Sequence, residues 1–196
     1  MYTAVAGKYP IEPRSQHVHR GSGAFSNPIM DAKQFKVLGH RYYEGSDVLI
    51  WHDANIVPKL SLQENVDKYL GDADVCFLKS PYRDCIYKEF AYLKVDPRFK
   101  RIHERLAQQE QHYRSKGYPE SNGLCECGFF IRRTTENVNA FFEKWWIELC
   151  MWTYRDQVSM PYVLWANPRL GLNVRIIDLG NVRDHRDFLY FDHYAR

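Results

Sequence analysis

Asp53 and Asn55 stand two residues apart just after the apolar run Val48-Leu49-Ile50-Trp51, and the chain turns apolar again up to Pro58. A short apolar run bounded by polar residues predicts a buried strand. The pair then falls at the C-terminal edge of that strand, where open α/β sheets bind their ligands. In extended backbone, positions two apart face the same side, so a carboxylate and an amide oxygen would meet one object. A hard divalent cation takes oxygen donors of this kind. Asp and Asn after a strand are also frequent turn formers, and the spacing alone leaves both readings open.

The elements that must position this pair follow from the pattern around it. Tyr2 to Ala6 reads as a first strand closed by Gly7, and the polar segment Pro10 to Pro28 as a mobile surface loop. A helix is expected from about Asp31 to Tyr42, with Phe35, Leu38 and Tyr42 on one face and Lys33 and Lys36 beside it. Ser61-Leu62-Gln63-Glu64 is a capping box that opens a helix running to Leu70 and stopping at Gly71. Strands are expected at Asp74 to Leu78 and Leu124 to Ile131, and helices at Cys85 to Leu93, Phe99 to Arg114 and Glu136 to Met151. Val138, Phe141, Phe142, Trp145 and Leu149 form a helical stripe of core type. Arg155-Asp156-Gln157-Val158-Ser159 begins a further helical stretch that Pro161 should shorten or kink. The tail from Val174 holds short β-prone pieces. With neither a repeat nor a domain boundary, residues 1–196 read as one α/β domain with a mixed, mostly parallel sheet flanked by helices.

Bulk properties narrow the class. The 196 residues suffice for a single core, and 45% hydrophobic with 26% charged residues is ordinary for a globular chain. A formal charge of +3 is too small to argue for nucleic acid but suits an anionic small ligand. The five cysteines are odd in number and contain no C-x-x-C pair, which argues against a zinc ribbon or disulfide framework and for a reducing compartment. No apolar run approaches the roughly 20 residues of a membrane span. The N-terminus lacks the features of a signal peptide, so a soluble cytoplasmic protein is expected.

Three pieces, the Lys36 helix, the strand end Trp51-His52-Asp53-Ala54-Asn55 and Arg155-Asp156-Gln157-Val158-Ser159, resemble in order and spacing the nucleotide-sugar-dependent glycosyltransferases of the GT-A fold. The small glycosyltransferases that chloroviruses encode for their capsid glycans are among the similar proteins. A plant group implicated in mucilage and cell-wall glycans is another. Its His-Pro-x-Arg stretch resembles Lys79 to Tyr87 here, with Ser80 at the histidine. Glycogenin-like retaining enzymes are more distantly similar.

The resemblance implies a single GT-A-like, Rossmann-related domain. It implies a UDP-sugar donor, UDP-glucose or a related UDP-hexose, and a glycan or glycoprotein acceptor, in the host cytoplasm if the protein is viral. Asp53 and Asn55 would hold the metal, Mn2+ or Mg2+, with His193 as a third ligand and His185 in reserve. Lys36, 17 positions before Asp53, would face the donor phosphates as a point charge. Thr3 and Ala4 would lie at the nucleotide base. Asp156 and Gln157 would reach the sugar, although an Asp in a first helical turn also serves as a cap or dipole partner. Glu126 would be an acceptor base or acceptor-binding group, and alternation along its strand does not settle which face it takes.

Two features depart from the family pattern. Asn55 brings one negative charge fewer, and Pro10 to Pro28 is too short and glycine-rich for the strand and helix that usually complete the base pocket. Both support the competing function, a non-catalytic nucleotide-sugar-binding relative. A metal-dependent phosphoesterase ranks last, for want of a second His/Asp cluster.

Overall fold

The computed structural model describes residues 1–5, 17–21 and 23–191. Among these, six strands form one mixed sheet: β1 (Tyr2–Val5), β2 (His17–Arg20), β3 (Val48–His52), β5 (Val75–Lys79), β6 (Cys125–Arg133) and β7 (Val174–Ile177). Their order is β2-β1-β3-β6-β5-β7. Only β6 runs against the rest, pairing antiparallel with β3 and β5. A two-stranded ribbon, β4 (Ile56–Pro58) with β8 (Phe188–Tyr190), is hydrogen-bonded separately and packs on one face of this sheet. The helices are α1 (Pro28–Val37), α2 (Leu62–Asn65), α3 (Ile86–Leu93), α4 (His103–Ser115), α5 (Glu136–Met151) and α6 (Asp156–Ala166).

Strand alternation divides the core. Leu49, Trp51, Val75, Phe77 and Phe130 face the larger cluster, which α1 and α3 to α6 complete with Phe35, Phe90, Leu106, Phe142 and Val158. Ile50, Cys76, Leu78, Phe129 and Ile131 face the opposite side, covered by Tyr69, Leu70, Ile56 and Phe188. A sheet covered on both faces takes near-continuous apolar strands, which is why the run before Asp53 is unbroken. Free cysteines fit the same logic, with Cys76, Cys85, Cys125 and Cys127 buried and Cys150 exposed.

Several expectations are corrected. His17–Arg20 is a strand rather than loop, paired in parallel register with Tyr2–Val5. Its four residues lack an alternating pattern, and the partner strand supplies the structure. The first helix begins earlier and ends earlier than expected. Asn27 caps it by accepting from the Ile29 amide at 3.0 Å, and Pro28 suits its first turn. It stops at Val37, and a separate 3-10 turn over Gly39–Arg41 follows, in which Gly39 packs so closely on the Tyr2 hydroxyl that a Cβ would clash. Tyr2 Oη also donates to the Lys36 carbonyl at 2.9 Å, tying this helix end to β1. Helix α6 runs through Pro161 without shortening. Proline there withholds only the amide that would bond the Gln157 carbonyl, and its ring is buried with Val158 and Tyr162.

Candidate active site

The C-terminal ends of β3, β5 and β7 and the N-terminal end of antiparallel β6 meet along one edge of the sheet. A cleft of about 570 Å³ opens there. It is lined by Lys33 and Lys36 of α1, Asp53 and Asn55 after β3, the β5–α3 connection, Glu126 to Gly128 of β6, and Arg155 to Gln157 at the start of α6. Seven basic side chains face it against four carboxylates, so the cleft favours an anion.

Asp53 and Asn55 reach the cleft through a turn. The Ile56 amide donates to the Asp53 carbonyl at 2.8 Å, so the extended backbone assumed for the pair is corrected to a tight turn between β3 and β4. Turn chemistry and a cleft-lining position coincide at these two residues. The Asp53 side chain is 41% exposed, while Asn55 is buried. Asp53 Oδ1 accepts from the Trp51 indole at 2.9 Å and from Lys36 at 3.1 Å. The other oxygen looks toward Gly128, where a Cβ would stand 3.4 Å from Oδ2 and 2.6 Å from Ile56 Cδ1. Gly128 therefore keeps room beside this carboxylate.

Lys36 is the hub. Its buried ammonium lies 2.7 Å from Asp156 Oδ2, 3.1 Å from Asp53 Oδ1 and 5.5 Å from the Trp51 ring centroid. Burial alone would push its pKa down, but Asp156 and Asp53 together outweigh that and hold it above the usual lysine range. Lys33 bonds the same Asp156 oxygen, and burial lowers its pKa despite that partner. Asp156 shows the reverse balance. Burial opposes its charge, yet Lys33, Lys36 and Arg155 hold it well below the ordinary carboxylate range. It is not the N-cap, which is Arg155. Its Oδ1 accepts from the Gln157 amide at 3.1 Å. Ser159 Oγ accepts from the Trp145 indole at 3.0 Å and donates to the Asp156 carbonyl at 3.2 Å, so α5 fixes the first turn of α6.

Glu126 reaches the cleft through a bulge. Phe77 faces Phe130, but Leu78 faces Glu126, so β6 accommodates residues 127–129 between consecutive β5 partners. Ser80 Oγ donates to Glu126 at 3.4 Å. Burial, then the charges of Asp156 and Glu89, push the Glu126 pKa up.

Lys36, Asp53, Asn55, Glu126, Asp156 and Gln157 thus converge on one cleft. Thr3 and Ala4 do not line it. Both are buried within β1, and the Thr3 hydroxyl has no partner among the described residues. His185 is turned instead to the Asp187 amide and the Phe188 ring. His193 lies outside the described residues. Sequence reasoning passed over Lys33, whose partner Asp156 is 123 positions away. It also passed over Gly128, although a glycine inside a strand pattern is the signal of a bulge or a close approach.

A mixed sheet of this order with a polar cleft at its strand ends defines a single GT-A-like α/β domain. The chain belongs to the TOD1/MUCI70 family: the family model described as TOD1/MUCI70, glycosyltransferase-like domain, matches residues 18–179. That span holds all six convergent residues, while Thr3, Ala4, His185 and His193 fall outside it. No curated protein and no solved structure gives a significant match. Membership supports a transferase that uses a sugar donor and an acceptor. No helix among the described residues is long and apolar enough to cross a membrane.

Proposed function

We propose that the protein transfers a hexose from a UDP-sugar, UDP-glucose or a relative of it, to a glycan acceptor, assisted by Mn2+ or Mg2+. The observation that carries this reading is the convergence of two lysines, Asp53 and Asn55 with Glu126 and Gln157 on one net-cationic cleft. Among the described residues no three His, Cys, Asp or Glu side chains gather to hold a metal by themselves. The residues present fit a cation shared with the substrate. Asp53 Oδ2 has the room that Gly128 leaves, and Asn55 adds a carbonyl oxygen. Donor phosphates and water would complete such a set of hard oxygen ligands. When bound, the cation supplies Lewis-acid neutralisation of the leaving diphosphate.

The chain's own groups take distinct roles in this reading. Lys33 and Lys36 offset phosphate charge. Asp156, with both oxygens engaged, is a positioning residue that pins the two lysines. Gln157, whose Oε1 accepts from Arg155 at 2.6 Å, stabilises positive charge developing on the sugar. Glu126 accepts the proton of the attacking hydroxyl.

Calorimetric titration with UDP tests the donor site. UDP should bind tightly with Mn2+ and weakly with chelator, and Asp53→Ala should erase the difference. Asn55→Asp should strengthen the metal-dependent part, because it adds charge at nearly constant volume. Identical UDP affinity with Mn2+ and with chelator would refute the metal assignment. A second reading, a binding relative without turnover, is favoured by Asn55 standing where a second carboxylate would bind the ion more strongly. It predicts the same titration but no release of UDP from UDP-sugars.

A further inference from the structure

Pro81, Tyr82 and Arg83 line the cleft, yet the donor chemistry above makes no use of them. Arg83 Nε lies 2.5 Å from one oxygen of Glu89, and Arg155 Nη2 lies 3.3 Å from the other. Glu89, on α3, is 2% exposed. One buried carboxylate therefore holds two guanidinium groups, one positive charge more than Glu89 balances, with Asp156 and Glu126 on the Arg155 side. The guanidiniums are further fixed by stacking, Arg83 at 4.3 Å from the Tyr92 ring centroid and Arg155 at 4.8 Å from that of Phe99. Both side chains keep about a quarter of their surface open, 26% and 23%. Arg155 Nε is buried with no hydrogen-bond partner among the described residues. A buried N–H without a partner is costly, and a planar fork with surplus charge matches an oxyanion. Arg98, which also lines the cleft, is already held by Asp96 and by the Tyr92 hydroxyl.

We propose that Arg83, Glu89 and Arg155 form a seat for an anionic group of the acceptor, which makes the acceptor an acidic glycan. The inference rests on the reading of the cleft as a glycosyl-transfer site. There the donor diphosphate is assigned to Lys33, Lys36 and Asp53, so the anion at the arginine pair is a second one. Carboxylate and sulfate share the required chemistry, and the test separates them.

The experiment measures binding of three oligosaccharides of matched length: one containing uronate, its carboxyl-reduced form, and a sulfated neutral one. UDP with Mn2+ is titrated in parallel. The wild-type protein should bind one of the acidic probes and not the reduced form, and which of the two it binds identifies the anion. That affinity should fall with added salt. Arg83→Gln leaves Glu89 and Arg155 as a balanced pair. It should weaken acidic-glycan binding roughly tenfold or more, the size of a lost charge-assisted hydrogen bond, while UDP affinity stays the same. Arg83→Lys should recover part of the loss, since it restores charge without the fork. Equal affinity for acidic and reduced glycans, or binding of neither acidic probe, would overturn the proposal. An equal loss of UDP binding in Arg83→Gln would overturn it as well, by assigning the seat to the donor. Acidic-glycan binding by a protein that does not bind UDP would leave the seat standing and refute the donor reading instead.

Discussion

Lys36→Met is expected to lower the free energy of unfolding by about 3 kcal/mol, the lower end of the cost of removing one partner from a buried ion pair. The lower end applies because Asp156 keeps Lys33 as a partner. The share contributed by Asp53 is also small, since its side chain is 41% exposed and screened by solvent. For a chain of this size the melting temperature should drop by roughly 6–12 °C. The pH dependence has a definite sign. The Asp156 pKa is lowered by folding, so its stabilisation is present above the ordinary aspartate value of about 3.9 and is lost as pH falls below it. The Lys36 pKa is raised, so its contribution is present below the ordinary lysine value of about 10.4 and is lost as pH rises through the folded value. The difference between wild type and Lys36→Met should therefore be flat between these limits and shrink in acid. In folded protein the variant should bind UDP more weakly while affinity for uridine changes little, because the proposed partner of the lost charge is phosphate. Urea titrations across pH and calorimetry with both ligands check this. A loss below about 1 kcal/mol, in the range of a surface pair, would mean that Lys36 is not the hub.

Glu126→Gln is expected to cut turnover by about 10²–10⁴-fold, the usual share of a general base, with UDP affinity unchanged. A loss confined to turnover marks an interaction made in the transition state. The raised pKa of Glu126 gives two further signs. As a base it must be ionised, so the rate should climb with pH along an acid limb displaced above the ordinary glutamate value of about 4.3. That limb should vanish in the variant. Ionising a carboxylate whose folded pKa is raised lowers stability as pH rises through that pKa. Glu126→Gln removes this cost and should be no less stable than wild type at neutral pH. A pH-rate profile with thermal melts separates the readings. A variant with wild-type rate, or one whose rate falls only as folded protein is lost, would remove Glu126 from the chemistry.

Local signals were legible where they closed on themselves. Helix α5 runs over Glu136–Met151 as its apolar stripe required, and Ser61 with Glu64 forms the capping box that opens α2. The strand before Asp53 was equally plain, because a sheet buried on both faces needs an unbroken apolar run. What escaped depends on partners distant in sequence. His17–Arg20 becomes a strand only beside β1. Pro161 sits inside α6, where it withholds one helix amide and its ring is buried. The face taken by Glu126 was undecidable from alternation, since the bulge at 127–129 breaks the alternation itself. Lys33 acquires its role only because the fold brings Asp156 to both lysines. The pairing of two arginines on Glu89 could not be read from Pro81-Tyr82-Arg83 at all, because Arg155 arrives from another helix.

The central claim, that this cleft transfers a sugar from a UDP-sugar, is tested most directly by UDP release from a panel of UDP-hexoses with Mn2+, without acceptor and then with glycan acceptors. The account predicts release from at least one donor, abolished by chelator and by Asp53→Ala, strongly reduced in Glu126→Gln, and faster with an acceptor present. No release from any donor by a protein that binds UDP in the presence of Mn2+ would contradict it and leave a nucleotide-sugar-binding protein.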